Sequence, residues 1–335
     1  MKINRSYLVI GIMSLTLCSC SCKKEDTALI GNWVELSDFE GVARHDAVAF
    51  AIDKFAYVGT GYDGEDRRID FWAYDSERNN WTQIADFPGS ARNAAVAFSA
   101  AGKGYVGTGY NGNERLKDFW AYDPVSNTWE QKADFAGGER YSAVAFTIND
   151  IGYVGTGYDG NYLKDFWAYN PANDSWTAKT SYGGSKRRDA VGFVIGNKGY
   201  ICTGINNGVY ESDFYEYNPD NDTWTAKRKI ASVSSESYDD NYAIVRSNAV
   251  AFVINGKGYV TTGTSGGSPL NNVWEYDPVT DLWTQRTSFE GVSRTDAVAF
   301  SIEATHGYVT TGKSTSYQFD DIWEFFPTAD YNEDD

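Results

Sequence analysis

The run Arg92-Asn93-Ala94-Ala95-Val96-Ala97-Phe98, then Gly104-Tyr105-Val106-Gly107-Thr108-Gly109, then Asp118-Phe119-Trp120-Ala121-Tyr122-Asp123 and Asn127-Thr128-Trp129, decides the fold. It holds four short segments rich in aromatic and β-branched residues. Gly, Pro, Asn and Asp separate them, which is the composition of four strands joined by turns. The unit recurs: Arg44, Arg92, Arg140, Arg187, Arg246 and Arg294 each stand three residues before an Ala-Val-Ala/Gly-Phe segment, at intervals of 48, 48, 47, 59 and 48 residues. One four-stranded unit cannot bury both of its faces, so such units must pack on one another. Radial packing predicts an all-β, six-bladed β-propeller with four strands, a to d, per blade.

The ends of the repeat fit that count. The sixth unit stops after its third strand, Ile322-Trp323-Glu324-Phe325, while an orphan fourth strand, Asn32-Trp33-Val34-Glu35-Leu36, precedes the first unit. The N-terminal strand is therefore expected to close the last blade and leave no open ring edge. The propeller is placed at residues 30–328, with an acidic tail at 329–335.

The pattern Arg-x-x-Ala-Val-x-Phe, Gly-Tyr-Val-x-Thr-Gly, Asp-x-Trp-x-Tyr-Asp-Pro and Asn-x-Trp resembles the kelch repeat over residues 31–326, with Gly-Thr-Gly where many kelch units carry Gly-Gly. The resemblance implies a kelch-type propeller of the galactose-oxidase superfamily. That fold hosts binding proteins and a few enzymes, so it does not by itself assign a function. All 11 Trp fall on repeat positions: Trp33, Trp81, Trp129, Trp176, Trp224 and Trp283 in fourth strands, and Trp72, Trp120, Trp167, Trp274 and Trp323 in third strands, with Tyr215 in the remaining copy. They are expected to be core residues, not a stacking platform.

A net charge of −17 makes nucleic acid an unfavourable partner. Lys2 and Arg5 followed by apolar Tyr7 to Leu17 read as a signal peptide over residues 1–19. Leu17-Cys18-Ser19-Cys20 resembles a lipobox, which places lipidation on Cys20, with Cys22 as the alternative, and a tether at 20–29. The expected location is the outer membrane, as a lipoprotein facing the periplasm or the surface and touching the membrane through its anchor only. Cys202 alone among the four cysteines lies in the repeat region, so the fold must hold without an internal disulfide.

No catalytic constellation and no cofactor or metal site is expected. The two His, His45 and His306, fall in different blades. The copper site that the superfamily includes needs two His and a Tyr–Cys cross-link, which this chain does not offer. The six repeat arginines precede the innermost strands on the face of the d–a and b–c loops. They are expected to ring the channel mouth, tied to carboxylates such as Asp70 and Asp118 or turned toward a ligand. Tyr62, Tyr110 and Tyr158 in the b–c loops, with Tyr238 and Tyr242 in the long d–a insertion at 227–245, complete the candidate ligand-binding set. Arginine, aromatic and amide side chains suit a glycan or protein ligand carrying an anionic group. The resemblance extends to kelch propellers that act as sialic-acid mutarotases, the alternative reading; a structural subunit of an envelope complex is a third.

Overall fold

The computed structural model describes residue 1 and residues 29–334. The expected leader, most of the tether, Cys20 and Cys22 lie outside the described residues. Six four-stranded antiparallel sheets surround one axis, and each blade runs a-b-c-d in chain order except the last. In blade 1 these strands are Val48–Ile52, Phe55–Gly59, Phe71–Asp75 and Asn80–Gln83. Blade 6 takes its strands a to c from Val298–Ile302, His306–Thr310 and Ile322–Phe326, and its fourth from Asn32–Glu35. The closing register sets Trp33 opposite Phe325. Trp33 is fully buried, with its ring 4.9 Å from Phe289 and 4.7 Å from Phe325. The start of the expected tail joins this clasp, because Gly31 N donates to Ala329 O and Asn332 N to Asn32 Oδ1.

Each strand a alternates a buried Val and Phe with small residues that face the channel: Val48 and Phe50 are buried between blades, while Ala47, Ala49 and Ala51 are not. The Phe reaches across to strand b of the next blade, which explains the glycine there. A Cβ built on Gly104 would lie 2.0 Å from the Phe50 ring, so the ring sits where a side chain would be; blade 1 alone carries Ala, Ala56, at this position. Trp residues of strand c pack on the blade clusters, and four of them donate to the Asp just before their own strand, as Trp120 Nε1 does to Asp118 at 2.8 Å, whereas Trp274 Nε1 has no partner among the described residues. Four of those of strand d bond the preceding blade, as Trp129 Nε1 does to Ala85 O at 3.0 Å. The tryptophans are thus scaffold, some fully buried and some half-exposed.

Two rings of backbone hydrogen bonds close around the axis. In the outer one, the Gly of each x-Thr-Gly segment donates to the carbonyl of the next repeat arginine: Gly61 to Arg92, Gly109 to Arg140, Gly157 to Arg187, Gly204 to Arg246, Gly263 to Arg294 and Gly312 to Arg44, at 2.7–2.8 Å. In the inner one, the residue two after each arginine donates to its counterpart in the preceding blade. The bonds run Asp46 to Asp296, Ala94 to Asp46, Ser142 to Ala94, Asp189 to Ser142, Asn248 to Asp189 and Asp296 to Asn248, at 2.8–3.2 Å. All six inner-ring residues have φ between 52° and 56°, a left-handed backbone that costs a non-glycine residue about 1 kcal/mol or more. The blade-to-blade bonds offset that cost.

Candidate functional site

The six repeat arginines do not ring the mouth. Arg44, Arg92, Arg140, Arg187, Arg246 and Arg294 are at most 1% exposed, folded inside their own blades. The left-handed residue two positions on resets the side-chain alternation, so the arginine turns inward and its ring neighbour turns to the axis. Arg92 is representative. Its Nε donates to Ser90 O at 2.9 Å, and Nη1 donates to Thr108 O at 2.9 Å and Asp118 Oδ1 at 2.8 Å. Its Nη2 meets Asp118 Oδ2 at 2.7 Å, over the Phe87 ring at 4.8 Å. Arg44 and Arg140 bind Asp70 and Asp165 with the same fork, and Arg187 and Arg294 bind Asp213 and Asp321. Arg92 and Arg44 hold Asp118 and Asp70 below the ordinary carboxylate range against a burial effect that would raise them. These groups are sealed from any ligand at the rim.

The predicted tyrosines of the insertion are likewise not at the cavity, although residues 232–237 of the loop are exposed. Tyr242 is buried, its hydroxyl accepts from Trp283 N at 2.7 Å, and it packs with Ile230 and Ile244 on Trp274 and Trp283. Tyr238 lies under Arg228 at 4.5 Å. Asp239 fastens the loop by accepting from Val233 N, Ser234 N and Ser234 Oγ. The loop therefore forms part of the blade 4–5 packing and does not line the axial cavity.

A cavity of about 530 Å³ does open on the axis, on the face expected. The inner ring forms its floor, and the wall comes from three of the residues that follow a repeat arginine, Asn93, Tyr141 and Arg188, with Tyr110, Arg115 and Lys313 of the b–c loops. The residue after each repeat arginine is paired with the first b–c loop residue of its blade. Each of these pairs is bridged across the backbone: His45 with Tyr62, Asn93 with Tyr110, Tyr141 with Tyr158, Arg188 with Ile205, Ser247 with Thr264 and Thr295 with Lys313. Of the predicted tyrosines, Tyr110 lines the cavity. Tyr62 and Tyr158 stand behind it: Tyr62 sits 5.0 Å from Arg67, and Tyr158 lies between Arg115 at 5.5 Å and Arg188 at 5.4 Å.

The wall is chemically two-sided. Blades 2 to 4 present Tyr110, Arg115, Tyr141 and Arg188. Arg188 Nη1 donates to the Tyr141 hydroxyl at 3.0 Å, and its Nε lies 3.2 Å from Asp189. Arg115 has no ion pair among the described residues, and its buried Nε has no hydrogen-bond partner. Blades 5, 6 and 1 present Asn248, Asp296, Lys313 and Asp46. Lys313 Nζ lies 3.2 Å from Asp296 and 3.3 Å from His45 Nδ1, and His45 Nδ1 lies 2.9 Å from Asp46. Asn248 Nδ2 donates to Asp296.

Burial, then the neighbouring Asp46 and Asp189 charges, push Asp296 up to about 8 against the pull of Lys313. Burial is also the largest influence on Asp46, but His45, Lys313 and Asn93 outweigh it and hold that carboxyl low. Asp189 is raised by burial despite Arg188. One carboxyl of the group therefore carries a proton near neutrality while its neighbour stays ionised. His45, Asp46 and Asp296 could each offer one metal-ligand atom, all within 4.8 Å of one another, but the Lys313 ammonium already contacts two of the three.

Arg115, Arg188, Lys313 and Tyr141 were not singled out by sequence. The signal was present in the position after the repeat arginine. It reads His, Asn, Tyr, Arg, Ser and Thr in segments that otherwise repeat.

Residues 32–204 match the family model described as KLHDC2/KLHL20/DRC7 Kelch-repeats domain, and residues 246–289 match the Kelch motif. No curated protein matches the chain in sequence. Among solved structures, that of YjhT aligns with a TM-score of 0.71 at 16% identity, covering 86% of this chain and 96% of the other. At that identity the likeness is one of fold.

Proposed function

The chain belongs to the kelch-repeat family, and from that premise we propose that it is an envelope-tethered binding module whose axial cavity captures a small, hydroxyl-rich anionic ligand such as an acidic sugar. The supporting observation is Arg115: a guanidinium on the cavity wall, without a carboxylate partner among the described residues, beside Tyr110 and Tyr141 in a strongly acidic protein. A planar cation of this kind pairs with a carboxylate in two-point fashion. Arg188 adds a second donor, and the Asp46 and Asn248 side accepts from hydroxyls. A concave site of this volume suits one or two sugar rings better than a flat protein epitope. Lipid attachment at Cys20 would hold the propeller at the outer membrane, and mass spectrometry of the mature N-terminal peptide tests it.

The binding test is calorimetric titration of the purified chain with N-acetylneuraminate and glucuronate against glucose and N-acetylglucosamine. The acidic sugars are expected to bind, and Arg115→Ala and Arg188→Ala to weaken them at least ~10-fold at unchanged melting temperature. Equal binding of acidic and neutral sugars, or an Arg115→Ala chain that binds like the parent, overturns the proposal.

A second reading is favoured by Asp296. A carboxyl poised near neutral pH in the same cavity as ionised Asp46 suits proton transfer to and from a bound sugar, as in the mutarotases that the repeat pattern resembles. NMR exchange spectroscopy of the sugar anomers decides it. Acceleration that disappears in Asp296→Asn supports catalysis, and exchange at the buffer rate leaves a binder.

A further inference from the structure

A second cavity, of about 500 Å³, opens between blades 1 and 2 away from the axial one. Three repeat positions account for it. The central residue of strand c is Glu216, Glu275 and Glu324 in blades 4 to 6, where Glu216 accepts from Tyr200 at 2.9 Å and Glu275 from Tyr259 at 2.8 Å. In blades 4 and 5 the residue at the end of strand d supplies the cation: Lys227 lies 3.7 Å from Glu216, and Arg286 lies 2.9 Å from Glu275. In blade 1 these positions hold Ala73 and Ile84, and strand b opens with Phe55 where three other blades have Lys. Blades 2 and 3 also carry Ala at the strand c position, Ala121 and Ala168, but keep Lys132 and Lys179 where blade 1 has Ile84. Blade 1 thus lacks both members of the pair seen in blades 4 and 5, and the space is walled by Phe55, Tyr57, Ala73, Ile84, Tyr122 and Val125. The Tyr57 hydroxyl, whose counterparts Tyr200 and Tyr259 meet Glu, makes no such bond.

The rim is acidic. Asp53, at the tip of the a–b turn, has no ion pair among the described residues, while Asp75 is neutralised by Arg78 at 2.9 Å. We propose that this wedge is a binding site for a small hydrophobic cation, an aromatic or branched aliphatic body carrying an amine. The body would fill the Ala73 gap, and the nitrogen would meet Asp53 and the Tyr57 hydroxyl. The volume lies in the range of small-molecule sites, and the single uncompensated carboxylate sets the sign of the ligand. This inference is independent of the axial cavity.

The experiment is ligand-observed NMR titration of the full chain with 2-phenylethylamine and 3-phenylpropionate, which share a body and differ in charge. The amine is expected to bind at ~mM affinity and the acid at least ~10-fold more weakly. Asp53→Asn, on an exposed turn whose φ of 51° suits Asn, should erase that preference. Ala73→Glu with Ile84→Lys installs the pair that blade 4 carries and should abolish amine binding while circular dichroism stays native. Absence of amine binding, an equal response to both probes, or binding that survives in the folded double variant overturns the proposal. Should the double variant fail to fold, the charge preference and its loss in Asp53→Asn decide alone.

Discussion

Blade 5 carries the one repeat arginine without a carboxylate, and its repair is a direct test of how the scaffold works. Arg246 is fully buried, yet its partners are all neutral: Asn272 Oδ1 at 2.7 Å and the carbonyls of Ala243, Ile244 and Thr262 at 2.9 Å. Burial pulls its pKa down to about 10, which corresponds to a cost of about 3 kcal/mol for keeping the charge in place. Asn272→Asp supplies the acid that Asp70, Asp118, Asp165, Asp213 and Asp321 supply elsewhere, at a position whose backbone already suits it. A hydrogen bond to a charged group contributes ~1.5–3 kcal/mol. Against this stand desolvation of the new carboxylate and loss of the 3.3 Å bond from Asn272 Nδ2 to Ala243 O. The expected net gain is ~1 kcal/mol, or ~1.5 °C in melting temperature for a chain of this size. The mirror change, Asp118→Asn, breaks a buried pair and should cost ~3–5 kcal/mol. The new acid's folded pKa is depressed, so its contribution is full above the unfolded value near pH 4 and vanishes as pH falls through the folded one. Thermal melts at pH 7 and pH 3 check both statements. An Asn272→Asp chain that melts at or below the parent at pH 7, or whose gain persists at pH 3, refutes the reasoning.

Trp33→Ala should cost ~3–5 kcal/mol and lower the melting point by roughly 5–8 °C, because it empties the buried centre of the closing strand; a calorimetric scan measures it. Asp296→Asn should stabilise the chain above pH 8 and converge with the parent toward pH 4. A carboxyl raised in the fold holds its proton while the unfolded chain has lost it, so parent stability falls as pH rises through that window; melts across that range check the sign. Cys202 is fully buried and pushed up to about 12 by burial, despite Arg187 and Arg246 nearby. It should resist a thiol reagent in the native chain and titrate as one thiol of the repeat region in denaturant.

The propeller, its blade count and its closure were legible because each is written six times or twice in register. The outward-facing roles were not, for a local reason. Inner-ring residues such as Asp46 and Ser142 adopt positive φ without a glycine to mark it, so the arginines, which precede the innermost strands on the loop face, were placed at the mouth. Sequence did pair Arg44 and Arg92 with Asp70 and Asp118, since opposite charges at fixed spacing on one face must meet. The insertion misled differently. Its length suggested an exposed wall, but Ile230, Tyr242 and Ile244 within it are apolar enough to bury.

The two backbone rings explain why the site could diverge while the blades did not. Register around the axis is held by main-chain N–H and C=O groups, so the side chain at each inner-ring position is released from structural duty. It is Asp, Ala, Ser, Asp, Asn and Asp in turn. The smallest of these, Ala94 and Ser142, lie on the Tyr110, Arg115 and Tyr141 side. That is where a bound ring needs depth beneath a cation. The acids gather mainly on the opposite side, where Lys313 draws Asp296 and His45 together across the seam between blades 6 and 1. A ligand that bridges the two walls would therefore sense both the free guanidinium and the titrating carboxyl. This is why affinity for an acidic sugar should depend on Arg115 at all pH values and on Asp296 only through the range in which it loses its proton.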